Sequence, residues 1–198
     1  VNYPKPFAYA DYVAGLKRTL DKLPWERVER VLDVLDEARL AGRQVFVFGN
    51  GGSASTATHM AADLSKNTAM PRTPRLRTLS LNDNMALFSA LGNDLGYESV
   101  FAEQLRTLLQ VGDVVIAISA SGNSPNVLKA IDVAAEIGAT TVGLSGYAGG
   151  KLSKVVDISI VAENDIIEQV EDIHLILEHI ITSAMRERMR AAIAAAHA

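Results

Sequence analysis

The run Asp113-Val114-Val115-Ile116-Ala117-Ile118 is apolar at every position after its aspartate, ends at a loop of serines, and leads into a helical stretch that opens on Pro125. A strand with one wet face alternates apolar and polar residues, whereas a strand apolar on both faces must be covered on both. The same unit occurs earlier. Gln44-Val45-Phe46-Val47-Phe48 stops at Gly49-Asn50-Gly51-Gly52-Ser53, and an Ala-rich helical pattern follows over 54–66. The spacing predicts further strands over 76–81, 140–144 and 158–161, with helices over 85–90, 97–110 and 125–137. Strands that alternate with helices predict an α/β three-layer sandwich, a five-stranded parallel sheet flanked by helices. Ligands of such sheets bind beyond the carboxyl ends of the strands.

Two amphipathic helices, over 8–23 and 24–41, precede the first strand. Pro24 suits a helix's first turn and Gly42 its end. Residues 163–190 carry a last helix, beginning near Asp165, with a broad apolar stripe of Ile166, Val170, Ile173, Ile176, Leu177, Ile180 and Ile181. Part of that stripe is expected to face another subunit. The 198 residues suffice for one core but not two ordinary ones. The expected organisation is a single domain, with residues 1–42 as the helical pair, 43–162 as the α/β core and 163–190 as the closing helix. His197, in the Ala-rich tail over 191–198, is expected to be disordered.

Cysteine is absent, which excludes disulfides, thiolate nucleophiles and cysteine-ligated metals, so any metal must use His, Asp or Glu. A net charge of -4 gives no global attraction for nucleic acid. No segment approaches the roughly 20 apolar residues of a membrane helix, and residues 1–6 lack the long apolar stretch of a signal peptide. Cytoplasm is the expected location, with no membrane and no direct nucleic-acid partner.

Both loops join a strand end to a helix start, where free N–H groups and the helix dipole favour an anion or a polar ligand. The first matches neither the Walker pattern nor Gly-x-Gly-x-x-Gly. The second, Ser119-Ala120-Ser121-Gly122-Asn123-Ser124, offers three hydroxyls, and Ser124 before Pro125 reads as an N-cap. Together they favour a phosphorylated ligand. His59 and Asp63, four apart on the helix after the first loop, share a face and could meet a metal, a substrate or simply each other. Glu171 and His179 share a face of the last helix, about 12 Å apart along its axis. His174 points away from His179 and reads as structural or as lining a neighbouring surface.

These motifs, in this order and spacing, resemble the sugar isomerase (SIS) domain family, and within it the phosphoheptose isomerases. The stretches that carry the resemblance are 49–53 with His59 and Asp63, Gly92-Asn93-Asp94, 119–124, and Glu171-Asp172-Ile173-His174 with His179. The resemblance implies a homotetramer with active sites at subunit interfaces. It also implies isomerisation of sedoheptulose 7-phosphate to D-glycero-D-manno-heptose 7-phosphate through an enediol. By the same analogy Asn50, Gly51, Gly52, Asn93 and Asp94 contact the sugar, and Ser119, Ser121 and Ser124 hold its phosphate. Ser53, Ala120, Asp63 and Glu171 complete the substrate set. Zinc is implied among His59, Asp63, Glu171 and His179; in the reaction Asp63 or Glu171 is expected to take the carbon proton, with His179 as the partner acid. Two positions depart from the family pattern: Asp63 stands where a longer glutamate is usual, and Glu171 where a neutral glutamine is usual. The other readings are a non-catalytic SIS regulator or an adaptor like the replication-initiator-associating proteins, and isomerisation of a different phosphosugar.

Overall fold

In the structure, a computed structural model, residues 8–196 are described. Helices α1 (Tyr9–Asp21) and α2 (Trp25–Leu40) lead into β1 (Gln44–Gly49), α3 (Gly52–Lys66), β2 (Arg77–Ser80) and α4 (Met85–Leu95). Then come α5 (Ala102–Leu108), β3 (Val114–Ser119), α6 (Pro125–Ile137), β4 (Thr140–Gly146), α7 (Leu152–Val155), β5 (Ile158–Ala162) and α8 (Ile167–Ala196). The five strands form one sheet in the order β2-β1-β3-β4-β5, with every pairing parallel. Successive side chains of a strand point to opposite faces. Val45 and Val47 of β1 accordingly join α2, α3 and α8 in one core, while Phe46 and Phe48 join α5 and α6 in the other. Asp113 sets the start of the central strands, because its carboxylate accepts the N–H groups of Gln44 (2.9 Å) and Gln110 (2.8 Å).

The order reverses between β1 and β3. The chain leaves β1 toward β2 on one side and returns to build β3, β4 and β5 on the other, which opens a crevice at the carboxyl ends of β1 and β3. Gly49 pairs with Ile118 there, so the loops after the two strands are neighbours.

Several elements differ from the sequence expectation, among them α4, which runs five residues past Ala90. Residues 97–110 are not one helix: a 3₁₀ turn over Tyr97–Ser99 is followed by α5. Three consecutive residues, Val100, Phe101 and Ala102, are fully buried, and a single amphipathic helix cannot turn all three inward. Phe101 stacks on Phe48 with ring centroids 4.7 Å apart. The short helix α7 had no periodic signal, being one turn long. Helix α8 runs six residues past Arg190, as alanine's high helix propensity favours. His197 and residues 1–7 lie outside the described residues.

Candidate active site

Helix α3 begins where β1 ends. Gly51, at its N-cap, has φ +56°, a conformation that costs an L side chain steric strain. A Cβ placed on the next residue, Gly52, would stand 2.5 Å from a carboxylate oxygen of Glu171. Glu171 therefore lies directly over the first turn of α3. Seven and eight residues further on, His59 of α3 meets His179 of α8 edge to face, with ring centroids 5.1 Å apart. Contacts at both places fix α3 and α8 side by side and running in the same direction, about 10 to 12 Å from the first contact to the second.

At the first contact a cavity of about 170 Å³ is lined by Asn50, Ser53, Ser119, Ala120, Ser121 and Ser124 from the two loops and by Ile118, Ile167 and Glu171. Ser119 and Ser124 hydroxyls are 3.1 Å apart. Ser124 occupies the N-cap position of α6, but its side chain makes no capping bond, so its hydroxyl belongs to the cavity. The exposed Ser121 hydroxyl accepts from the Asn123 N–H at 3.2 Å. Ala120 contributes its carbonyl to the Gly146 N–H at 2.8 Å and no hydroxyl.

The loops are held by residues that sequence reasoning passed over. Asn50 and Asn126 exchange two amide hydrogen bonds of 2.9 Å, which tie the loop after β1 to the start of α6. Tyr97 also donates to Asn50 Oδ1 at 3.0 Å. Asn82 grips Gly49, accepting from its N–H (3.3 Å) and donating to its carbonyl (3.0 Å). The signal for Asn126 was its place two residues after an N-cap serine, which no motif marks.

At the second contact His59, Asp63, Glu178 and His179 each offer a donor atom, all within 4.8 Å of one another. His59 Nε2 lies 3.7 Å from Asp63 Oδ2. Three of the four residues expected to hold a metal are thus together. The fourth is not: Glu171 stands two turns away at Gly52, and Glu178, unmarked in the sequence reading, takes the place beside the others. The reason is axial separation: Glu171 and His179 share a face, but side chains eight residues apart stand about 12 Å apart along the helix and reach different turns of α3. The Glu178 side chain is 0% exposed, whereas His59 and His179 are 45% and 52% exposed. Burial pushes the Glu178 carboxyl up and nearby Asp63 adds to the rise, against the opposing pull of His179 and His59.

His174 is buried away from this cluster, its Nε2 3.1 Å from the Ser145 carbonyl. Asn93 and Asp94 lie exposed at the end of α4, with Asn93 donating to Asp94 at 2.7 Å, and neither lines the serine-loop cavity of its own chain.

A parallel sheet with two Ser/Gly loops at its switch point and an imidazole–carboxylate cluster beyond them is the arrangement of a SIS domain protein, and the SIS domain family profile matches residues 8–146. A phosphoheptose isomerase of Geotalea daltonii is 37% identical over 163 residues, which cover 82% of this chain and 84% of that protein. Solved phosphoheptose isomerases from Neisseria gonorrhoeae and Francisella tularensis superpose with TM-scores of 0.83 and 0.84. Each is 26% identical and covers 90% of this chain, matching 95% and 94% of the respective solved chain. Within the SIS domain proteins, the chain belongs to the phosphoheptose isomerase family.

Proposed function

We propose that this chain is an aldose–ketose isomerase that converts sedoheptulose 7-phosphate to D-glycero-D-manno-heptose 7-phosphate. The observation that carries the reading is the pairing of two subsites along α3 and α8, a hydroxyl-lined cavity at one end and the imidazole–carboxylate cluster two turns away. A seven-carbon chain with phosphate at its far end separates its anion from its carbonyl in the same way. The phosphate occupies the cavity of Ser119, Ser121 and Ser124, at the N-termini of α3 and α6. Asn50, Gly51, Gly52 and Ser53 line the sugar, with Glu171 over the first turn of α3.

At the reacting end Asp63 takes the proton from C1 while His179 gives one to the oxygen on C2, which leaves an enediol. Asp63 then returns the carbon proton to C2 as the hydroxyl on C1 surrenders its proton to His179, and the aldose forms. Imidazole suits the second role because it donates and accepts near neutral pH. The cluster fits a divalent cation: it has two nitrogen and two oxygen donors and no sulfur, and one buried carboxylate oxygen in it lacks a hydrogen-bond partner. Zinc is the cation we favour, held by His59, Asp63 and His179, where it would polarise the substrate oxygens.

The exposure of Asn93 and Asp94 supports a homotetramer in which they reach the sugar of a neighbouring subunit. Among the described residues no helix is long and apolar enough to cross a membrane, and a phosphorylated sugar substrate goes with a cytoplasmic enzyme. The test is to incubate purified protein with sedoheptulose 7-phosphate and follow the aldose product. Turnover that chelators suppress is the expected result; tight binding of the sugar phosphate without turnover would overturn the assignment in favour of a sensor.

A further inference from the structure

We infer that Glu178 supplies a carboxylate oxygen to the divalent cation held by His59, Asp63 and His179, in the place that sequence reasoning gave to Glu171. The inference concerns the cation of the site proposed above and rests on that part of the reading, but not on the identity of the sugar.

Three observations carry it. The first is placement: Glu178 Oε2 stands 3.2 Å from His179 Nε2, and the donor atoms of all four residues fall within 4.8 Å of one another. The second is an unmet demand. The side chain is wholly buried, and Oε1 accepts from the Thr182 hydroxyl at 3.2 Å, but Oε2 has no hydrogen-bond partner. Its approach to His179 lacks the alignment of a hydrogen bond. Thr182 thus anchors one oxygen and leaves the other turned toward the imidazoles. Buried carboxylates almost always find partners, and a cation among these donors provides one. The third is charge. In the form that binds a metal, the two imidazoles carry no charge and the two carboxylates carry one negative charge each, which one divalent ion cancels. Two nitrogens and two oxygens also make a set that zinc, cobalt or manganese accepts.

Glu171 does not compete for this position, because its carboxylate is at Gly52, two turns back along the same helices. The competing account is a proton shared between Glu178 and His179 with no metal involved.

The experiment uses full-length protein stripped with a chelator, then titrated with Zn2+ against a chromophoric competitor and with Co2+ followed by visible absorption. Glu178→Gln is expected to weaken Zn2+ binding by about tenfold or more, a loss at least as large as removal of an outer partner of a ligand causes. The Co2+ spectrum should change with it, while Glu171→Gln stays within about threefold of the parent on the same scale. Because a buried substitution can unfold a protein, Glu178→Leu provides a second measure: the metal-free variant should melt no lower than the parent, and the rise in Tm that Zn2+ gives the parent should disappear. Unchanged Zn2+ affinity and Co2+ spectrum in Glu178→Gln would overturn the inference, as would loss of binding in Glu171→Gln alone. A parent that isomerises the sugar phosphate yet binds no Zn2+ or Co2+ would overturn it too, and would leave the isomerase reading standing.

Discussion

At the scale of single residues the two central histidines of α8 have opposite environments and should give opposite responses to mutation. His179 is half exposed, beside His59 and Glu178, and packs against little that holds the fold. His179→Gln should therefore melt within about 2 °C of the parent while kcat falls by about 100-fold or more, the loss expected when a positioned acid–base group is removed. Parent-like turnover in that variant would sink its role. His174 is the reverse case. Burial, only partly opposed by the bond to the Ser145 carbonyl, lowers its pKa from 6.5 to about 4. The unfolded chain then binds the proton more readily, so stability from this group is complete above pH 6.5 and is lost as pH falls toward 4. A shift of this size corresponds to about 3 kcal/mol at most. Urea unfolding at pH 7 and pH 4.5 should show a smaller loss for His174→Gln than for the parent, and equal losses would remove His174 from the acid response.

At the scale of elements the site is a property of how α3 and α8 lie together, and this decides what the sequence could reveal. Strands β1 and β3 were legible because their Val, Ile and Phe runs end at glycine or serine loops, and the parallel sheet followed from several strands being apolar on both faces. His59 and Asp63 were legible as a pair since both lie on one helix. Glu178 was not, because it reads as one polar residue beside the apolar stripe of 170, 173, 177 and 181; in the fold it is buried with His174 and Thr182 on the flank of that stripe, next to His59 and Asp63 of α3. Asn82 and Asn126 were hidden for the same reason, as their partners Gly49 and Asn50 come within reach only once β1 has paired with β2 and β3. The closeness of the two helices at Gly52 is itself testable. The three atoms nearest a methyl group there all belong to the flexible end of Glu171, so Gly52→Ala should displace that carboxylate at little cost to the fold. Thermal stability should stay within about 3 °C of the parent while kcat/KM falls by about tenfold or more, since small misplacements at a reacting site are expensive. Unaltered kinetics would show that Glu171 over the helix start has no part in the reaction.

At the scale of the molecule, the chain leaves apolar surface exposed on α4 and α8. Helix α4 contains Met85, Leu87, Phe88, Leu91 and Leu95 yet buries none of its residues, and Met85 and Leu95 are 65% and 55% exposed. On α8 the buried side of the stripe is Val170, Ile173, Leu177 and Ile181, while Ile166 stays exposed and Ile176 and Ile180 are only half-buried. Asn93 and Asp94 close α4 beside that uncovered surface. If the assembly sets this end of α4 against a neighbour's sugar site, each active site draws His179 from one subunit and Asp94 from another. Two separately inactive variants, His179→Gln and Asp94→Ala, should then restore each other when unfolded together and refolded as a mixture. In an equal mixture with random assembly, about one site in four receives both native residues, so turnover should recover to about a quarter of the parent's. Light scattering on the same sample should give a mass near four chains of 21.2 kDa. A mixture as inactive as its components would place both residues in one subunit's site and remove the shared interface.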